Sequence, residues 1–150
     1  MPKVTPFLWF DTQAEEAMNL YTSVFKRSKV ISVSRAQGRV MAVHFEIEGQ
    51  EIMALNGGPH FKLNEAFSLF VGVETQQEID EYWDKLIAGG GSPSQCGWLR
   101  DKFGVSWQII PNALTRMLGD KDPTKAGRAM TAMLQMNKID LEKLQEAYDG

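Results

Sequence analysis

The amino-acid sequence predicts an α+β fold in which one β-α-β-β-β module occurs twice and is followed by helices. Two observations carry this prediction. A short apolar segment, a helix-starting sequence and an amphipathic stretch follow one another near the N-terminus, and the same succession recurs after residue 66. Extended segments come after each amphipathic stretch, and one of them alternates apolar and polar residues as a half-buried strand does. We place the modules at about residues 4–57 and 66–111.

Each element of the first module follows from local pattern. Residues 4–10 are short, apolar and β-prone, which predicts a buried strand. Thr12 and Glu15 have the spacing of a capping box, and apolar residues recur at helical spacing over 17–25. The three strands that complete the module are predicted at 30–36, 40–48 and 51–56.

The second module repeats this order. Residues 67–73 predict a strand, and Thr75 and Glu78 form a second capping box. Apolar residues recur at helical spacing over 79–87, and the glycines at 89–91 end the predicted helix. The three remaining strands are predicted at 93–96, 98–101 and 105–110.

Residues 112–150 have helical character. Asp122 and Pro123 suit the N-cap and first turn of one helix, and Asp140 suits the N-cap of another. No linker rich in Gly, Ser or Pro interrupts the chain, so we expect residues 1–150 to form a single domain.

Composition narrows the classes of molecule that we expect the protein to bind. Of the 150 residues, 43% are hydrophobic, and 16 Lys and Arg against 19 Asp and Glu give a net charge of −3. This weak acidity provides no attraction to nucleic acid or to an anionic membrane. We find no membrane-spanning apolar run or secretory leader, and the single Cys96 permits no intrachain disulfide. We therefore expect a cytoplasmic protein that binds neither nucleic acid nor membranes.

Several segments carry a family resemblance. They are residues 5–10, 14–18, 95–99 and 103–109 and the tail at 132–134 and 138–140, so the resemblance covers nearly the whole chain. The Cys-Gly-Trp sequence within 95–99 and the Ser-Trp-Gln sequence within 103–109 are its specific parts. These segments resemble the vicinal oxygen chelate (glyoxalase/bleomycin resistance/dioxygenase) superfamily, in particular its PhnB-like branch, the 3-demethylubiquinone-9 3-methyltransferase domain. The resemblance implies a curved mixed sheet around a cavity, and a homodimer in which modules pair across chains.

The resemblance also implies where metal ligands stand in metal-dependent members of the superfamily. Those positions here hold Pro6, Ala54 or Asn56, Ser68 and Gln108. Pro and Ala have no ligating side chain, and Ser and Asn are poor ligands for a transition metal. We therefore expect no metal site.

No other cofactor is predicted. A cofactor-binding methyltransferase of the usual kind needs a glycine-rich turn that leads from a strand into a helix. The glycines at 89–91 follow a helix, and those at 57–58 follow a strand but lead into no clear helix. The residues themselves therefore do not support methyl transfer.

We predict that the cavity binds a small, partly apolar molecule. Gln108 is the strongest candidate, because an amide in an apolar cavity needs polar partners, which a ligand, Ser68 or Asn56 could supply. Trp107 is expected to face the helices, because it alternates with Ser106 and Gln108 along its strand. The predicted cavity residues are Leu8, Phe10, Asn56, Ser68, Trp98 and Gln108.

Other functions remain open from the sequence. An enzyme of the same fold would use a weakly held metal or acid–base groups, recruiting His44, Asp101 or Gln108. Otherwise His44 contacts solvent or a dimer partner, Asp101 accepts amide bonds in its turn, and Cys96 is a structural thiol. The methyltransferase activity of the branch is a weaker alternative, and a structural or regulatory dimer with a filled cavity is another. Catalytic residues are not assigned.

Overall fold

The computed structural model of the chain describes residues 2–150. The chain divides into two compact units, one ending at Asn64 and the other spanning Glu65–Gly150. Each unit contains one of the predicted modules and its own four-stranded mixed sheet. The α+β class and the duplicated β-α-β-β-β order are therefore confirmed, with two four-stranded sheets where one curved sheet was expected.

The first unit has one helix and four strands. The elements are β1 Phe7–Phe10, α1 Ala14–Val24, β2 Ser28–Ala36, β3 Arg39–Ile47 and β4 Gln50–Asn56. Strand β1 pairs in parallel with β4, and β4, β3 and β2 pair in antiparallel fashion in the order β1-β4-β3-β2. Positive φ angles at Glu48 (47°) and Gly49 (85°) allow the tight turn between β3 and β4.

Helix α1 does not begin with the predicted capping box. Its N-cap is Gln13, which provides no side-chain cap, so the pairing of Thr12 with Glu15 was wrong. The first free amide of the helix, that of Ala14, instead donates a 2.8 Å hydrogen bond to Oδ1 of Asn56 at the end of β4. A neighbouring strand thus supplies the acceptor that a local cap would have given.

The second unit repeats the arrangement. The elements are β5 Ser68–Val73, α2 Gln76–Ile87, β6 Ser92–Pro93, β7 Trp98–Arg100 and β8 Ser106–Pro111. Strand β5 is parallel to β8, and the strand order is β5-β8-β7-β6. The predicted capping box is confirmed, since the hydroxyl of Thr75 accepts from the amide of Glu78 and the Glu78 carboxylate accepts from the amide of Thr75. The predicted strand at 93–96 is shorter and earlier than expected.

Three helices complete the second unit: α3 Asn112–Leu118, α4 Pro123–Met133 and α5 Leu141–Asp149. The carboxylates of Asp122 and Asp140 accept hydrogen bonds from backbone amides at the starts of α4 and α5, as predicted. Within residues 2–150 no helix is both long and apolar enough to span a membrane.

Candidate functional site

The second sheet has two chemically different faces, because successive strand residues point in opposite directions. Trp107 and Leu99 are buried and paired in register on the face toward α2. Gln108 and its in-register neighbours occupy the opposite face, which we call the Gln108 face. It carries Ser68 and Phe70 of β5, Trp98 and Arg100 of β7, and Ser106 and Gln108 of β8.

A row of three side chains crosses the Gln108 face. Phe70 pairs with Gln108, and Gln108 pairs with Trp98, so an amide stands between two aromatic side chains. Directly opposed side chains on adjacent strands have Cβ atoms about 5 Å apart. Phe70 is 57% exposed, whereas Gln108 and Trp98 are half-buried.

Gln108 has one protein partner and spare hydrogen-bonding capacity. Its Nε2 donates a 2.9 Å bond to the hydroxyl of Ser68. This is one of the two protein partners expected from the sequence, while Asn56 is engaged elsewhere. A primary amide has two N–H donors and a carbonyl acceptor, so one N–H and the Oε1 of Gln108 remain for another molecule.

The loop before β7 fixes the position of Trp98. The amides of Cys96 and Gly97 donate to the carbonyls of Met136 and Asn137, at 2.8 and 2.7 Å. Gly97 has a φ of 86°, and a Cβ there would lie 2.7 Å from the Cδ1 of Ile110, so the Cys-Gly-Trp sequence needs its glycine. Residues 136–139, which follow the last strand in the sequence, thereby hold the loop that carries Trp98 in position.

The carboxylate of Asp101 forms its hydrogen bonds within its own turn and the strand that follows. Its buried carboxylate accepts from the amides of Phe103 and Val105 at 2.9 and 3.0 Å and from Nε1 of Trp107 at 2.9 Å. The structure thus gives Asp101 the turn-forming role rather than that of a base facing a ligand.

Three predicted cavity residues lie elsewhere. Leu8 and Phe10 are only 3% and 4% exposed. The register Leu8–Ala54–Val43 places them on the face toward α1, and Phe10 pairs with Asn56 on that same face. Their predicted orientation toward a cavity is therefore corrected, because they form the core between the sheet and α1.

Asn56 acts as a structural link. Besides accepting from Ala14, its Nδ2 donates a 3.2 Å bond to the carbonyl of Val40. It also lines a cleft of about 580 Å³ at the start of α1. An ion pair of 2.8 Å between Glu15 and Arg35 lies in the walls of that cleft, so its charges are partly matched internally.

Aromatic residues occupy the other face of the first sheet, which the sequence did not single out. Trp9 packs edge-on against Phe61, with ring centroids 4.9 Å apart, and its Nε1 donates a 3.0 Å bond to the carbonyl of Gly58. A Cβ at Gly57 would come within 2.3 Å of the Trp9 ring. The glycines at 57–58 thus accommodate an indole ring.

His44 is buried rather than exposed to solvent, at 8% exposure. Its Nε2 lies 2.8 Å from Oε1 of Glu51, which is an ion-pair distance. The alignment of the two groups falls short of a hydrogen bond, so Nε2 is buried without one. A small rotation of either side chain would align the pair for a hydrogen bond.

The positions implied for metal ligands do not suit a transition metal. Ala54 is buried without a donor atom, both polar ends of the Asn56 amide are used, and Ser68 is bonded to Gln108. Within residues 2–150, no three His, Cys, Asp or Glu side chains are grouped to hold a metal ion. The donor set available is thus hydroxyl and amide, which transition metals bind poorly.

Comparison with known proteins agrees with this architecture. Residues 2–110 match the family described as 3-demethylubiquinone-9 3-methyltransferase. The PhnB protein of Bacillus cereus is 39% identical, and the match covers 73% of this chain and 99% of that protein with a TM-score of 0.68. The matched family region ends before helices α3–α5.

More distant structures share the fold alone. A Pseudomonas aeruginosa protein is 20% identical, with 74% of this chain and 98% of that chain covered and a TM-score of 0.60. A glyoxylase/bleomycin resistance protein/dioxygenase domain from Frankia is 15% identical, covering 74% and 92% with a TM-score of 0.51. No protein of curated function matches the chain.

Proposed function

The chain belongs to the 3-demethylubiquinone-9 3-methyltransferase family, and from that premise we propose that it binds a small, partly apolar molecule without a transition metal. The proposed site is the Gln108 face. The observation that carries the proposal is the row Phe70–Gln108–Trp98, in which a half-buried amide stands between two aromatic side chains.

The aromatic pair supports a planar ligand. An exposed Phe70 costs free energy in water, and a ring packed on it would remove that cost. Trp98 adds a second flat apolar surface on the other side of Gln108. Ligand sites commonly combine such apolar walls with a few well-placed polar groups.

Gln108 supports a ligand that carries a polar atom. The bond to Ser68 fixes the direction of the Gln108 amide, so its remaining N–H and carbonyl are pre-oriented. A ligand with a hydroxyl, carbonyl or amide group would complete this hydrogen bonding. The same donors are unsuited to transition metals, which is why the proposal involves no metal.

Protein NMR with small probes tests this proposal. We expect 2-naphthamide, added to uniformly ¹⁵N-labelled protein, to shift the side-chain amide signal of Gln108 and the indole N–H signal of Trp98. Phe70→Ala should weaken this binding about tenfold, or about 1.4 kcal/mol, and dialysis against EDTA should leave it unchanged.

Leu134→Ala is the matched control, because Leu134 is also an exposed apolar residue but lies at the end of α4. It should leave the affinity for 2-naphthamide unaltered. If millimolar 2-naphthamide moves neither signal, or if EDTA abolishes binding, the proposal is wrong.

A further inference from the structure

The Gln108 face contains a cation that the proposed function does not use. Arg100 lies on β7 two residues from Trp98 and pairs in register with Ser106, which in turn pairs with Ser68. A Ser–Ser–Arg row therefore runs beside the Phe–Gln–Trp row. Two strand residues span about 6.8 Å, which sets the spacing between the rows.

Arg100 is exposed and forms no ion pair with the acidic groups of residues 2–150. The members of its row that face it from β8 and β5 are neutral hydroxyls. A guanidinium group binds a carboxylate through two parallel hydrogen bonds, and this geometry is specific for planar anions.

We infer that the site selects a planar aromatic carboxylate, with Arg100 binding the carboxylate while Phe70 and Trp98 contact the rings. This inference rests on the proposed function and adds the charge class of the ligand. The net charge of −3 repels anions in general, so a preference for an anionic ligand requires a local cation such as Arg100.

Two isosteric probes separate the inference from the proposed function. 2-Naphthoate carries a carboxylate at neutral pH, whereas 2-naphthamide has the same rings and no charge. Titrated against the 150-residue protein by NMR, 2-naphthoate should bind at least tenfold more tightly than 2-naphthamide. Arg100→Gln should remove this preference, so that the variant binds the two probes equally.

Arg116→Gln is the matched control, since it removes the same charge from an exposed site on α3. It should preserve the preference for 2-naphthoate. Arg100→Lys should keep part of the preference, because an ammonium retains the charge but loses the paired hydrogen bonds.

Each outcome has a distinct meaning. Equal affinity of the wild-type protein for both probes overturns the inference and leaves the proposed function standing. A preference that survives Arg100→Gln, or that Arg116→Gln also removes, overturns the role of Arg100. If neither probe binds, the proposed function itself fails.

Discussion

At the scale of single residues, Asp101 stabilises the fold through several hydrogen bonds of one side chain. One buried carboxylate closes the turn before β8 and holds the indole of Trp107 in the core. We predict that Asp101→Asn destabilises the protein by about 2–4 kcal/mol, because an amide nitrogen cannot accept from Trp107 and the charge-assisted bonds are lost. Urea unfolding of the 150-residue chain measures the change.

Asp84→Asn provides the comparison for this change. It is the same chemical substitution on the exposed surface of α2, where we expect an effect within about 0.5 kcal/mol. If the two variants had equal free energies of unfolding, the carboxylate of Asp101 would contribute no more to stability than the exposed carboxylate of Asp84.

Residue-level prediction from the sequence succeeded where side chains alternate in character. In the sequence Ser-Trp-Gln at 106–108, the single large apolar residue identifies the core face, so Gln108 could be assigned to the other face. The first strand reads Phe-Leu-Trp-Phe over 7–10 and is apolar on both faces. Its pattern could not decide which residues face α1, and Leu8 and Phe10 were assigned to the wrong side.

At the scale of elements, the two helix starts show when a local motif is sufficient. Thr75 and Glu78 form the predicted capping box, whereas Thr12 and Glu15 have the same spacing and do not. The difference is Asn56, which comes from β4 and bonds the amide of Ala14. A contact between residues 42 positions apart in sequence cannot be read from local spacing.

Gln76 links α2 to the start of α5 and the residue pair before it. Its Nε2 donates to the carbonyl of Ile139 at 3.0 Å, and its Oε1 accepts from the amide of Leu141 at 2.8 Å.

An ion pair lies nearby, with the ammonium of Lys138 2.9 Å from the carboxylate of Asp80. Hydrogen bonds from the Lys138 ammonium and, to a lesser extent, from the Gln76 amide hold the pKa of Asp80 below its usual value.

We predict that Gln76→Ala lowers the free energy of unfolding by about 1–3 kcal/mol, because its hydrogen bonds to Ile139 and Leu141 are lost together. Hydrogen exchange at the Leu141 amide should accelerate more than exchange in the strands. Gln77→Ala is the control, since Gln77 is the exposed neighbour on the same helix. Unchanged exchange at Leu141 would contradict the assigned role.

At the scale of the whole molecule, the scaffold is far easier to predict than the chemistry. The repeated order of strands and helix follows from periodicity and turns, and each local preference agrees with the fold. The ligand depends on a few side chains brought together by register, such as Arg100 beside Gln108. Arg100 was not singled out from the sequence, and only the pairing of β7 with β8 shows that it lies on the Gln108 face.

The homodimer implied by the family resemblance stays a prediction. One candidate association surface is the outer edge of β2, where Val30 and Ile31 are exposed. A register shift interrupts β2 between Val30 and Ser32, and such irregularities discourage edge-to-edge pairing. Phe61 is a better candidate, since it is 66% exposed and packed on Trp9. Aromatic side chains of this kind are enriched in protein interfaces.

We therefore predict that light scattering after size-exclusion chromatography will give twice the mass of one chain at micromolar concentration. Phe61→Glu should shift the protein toward a monomer, because a buried, unpaired carboxylate would oppose association. Ile31→Lys, an equally drastic change on the interrupted edge of β2, should leave the mass unchanged. A monomeric wild-type protein would refute the dimer, and dissociation by Ile31→Lys but not by Phe61→Glu would move the interface to the β2 edge.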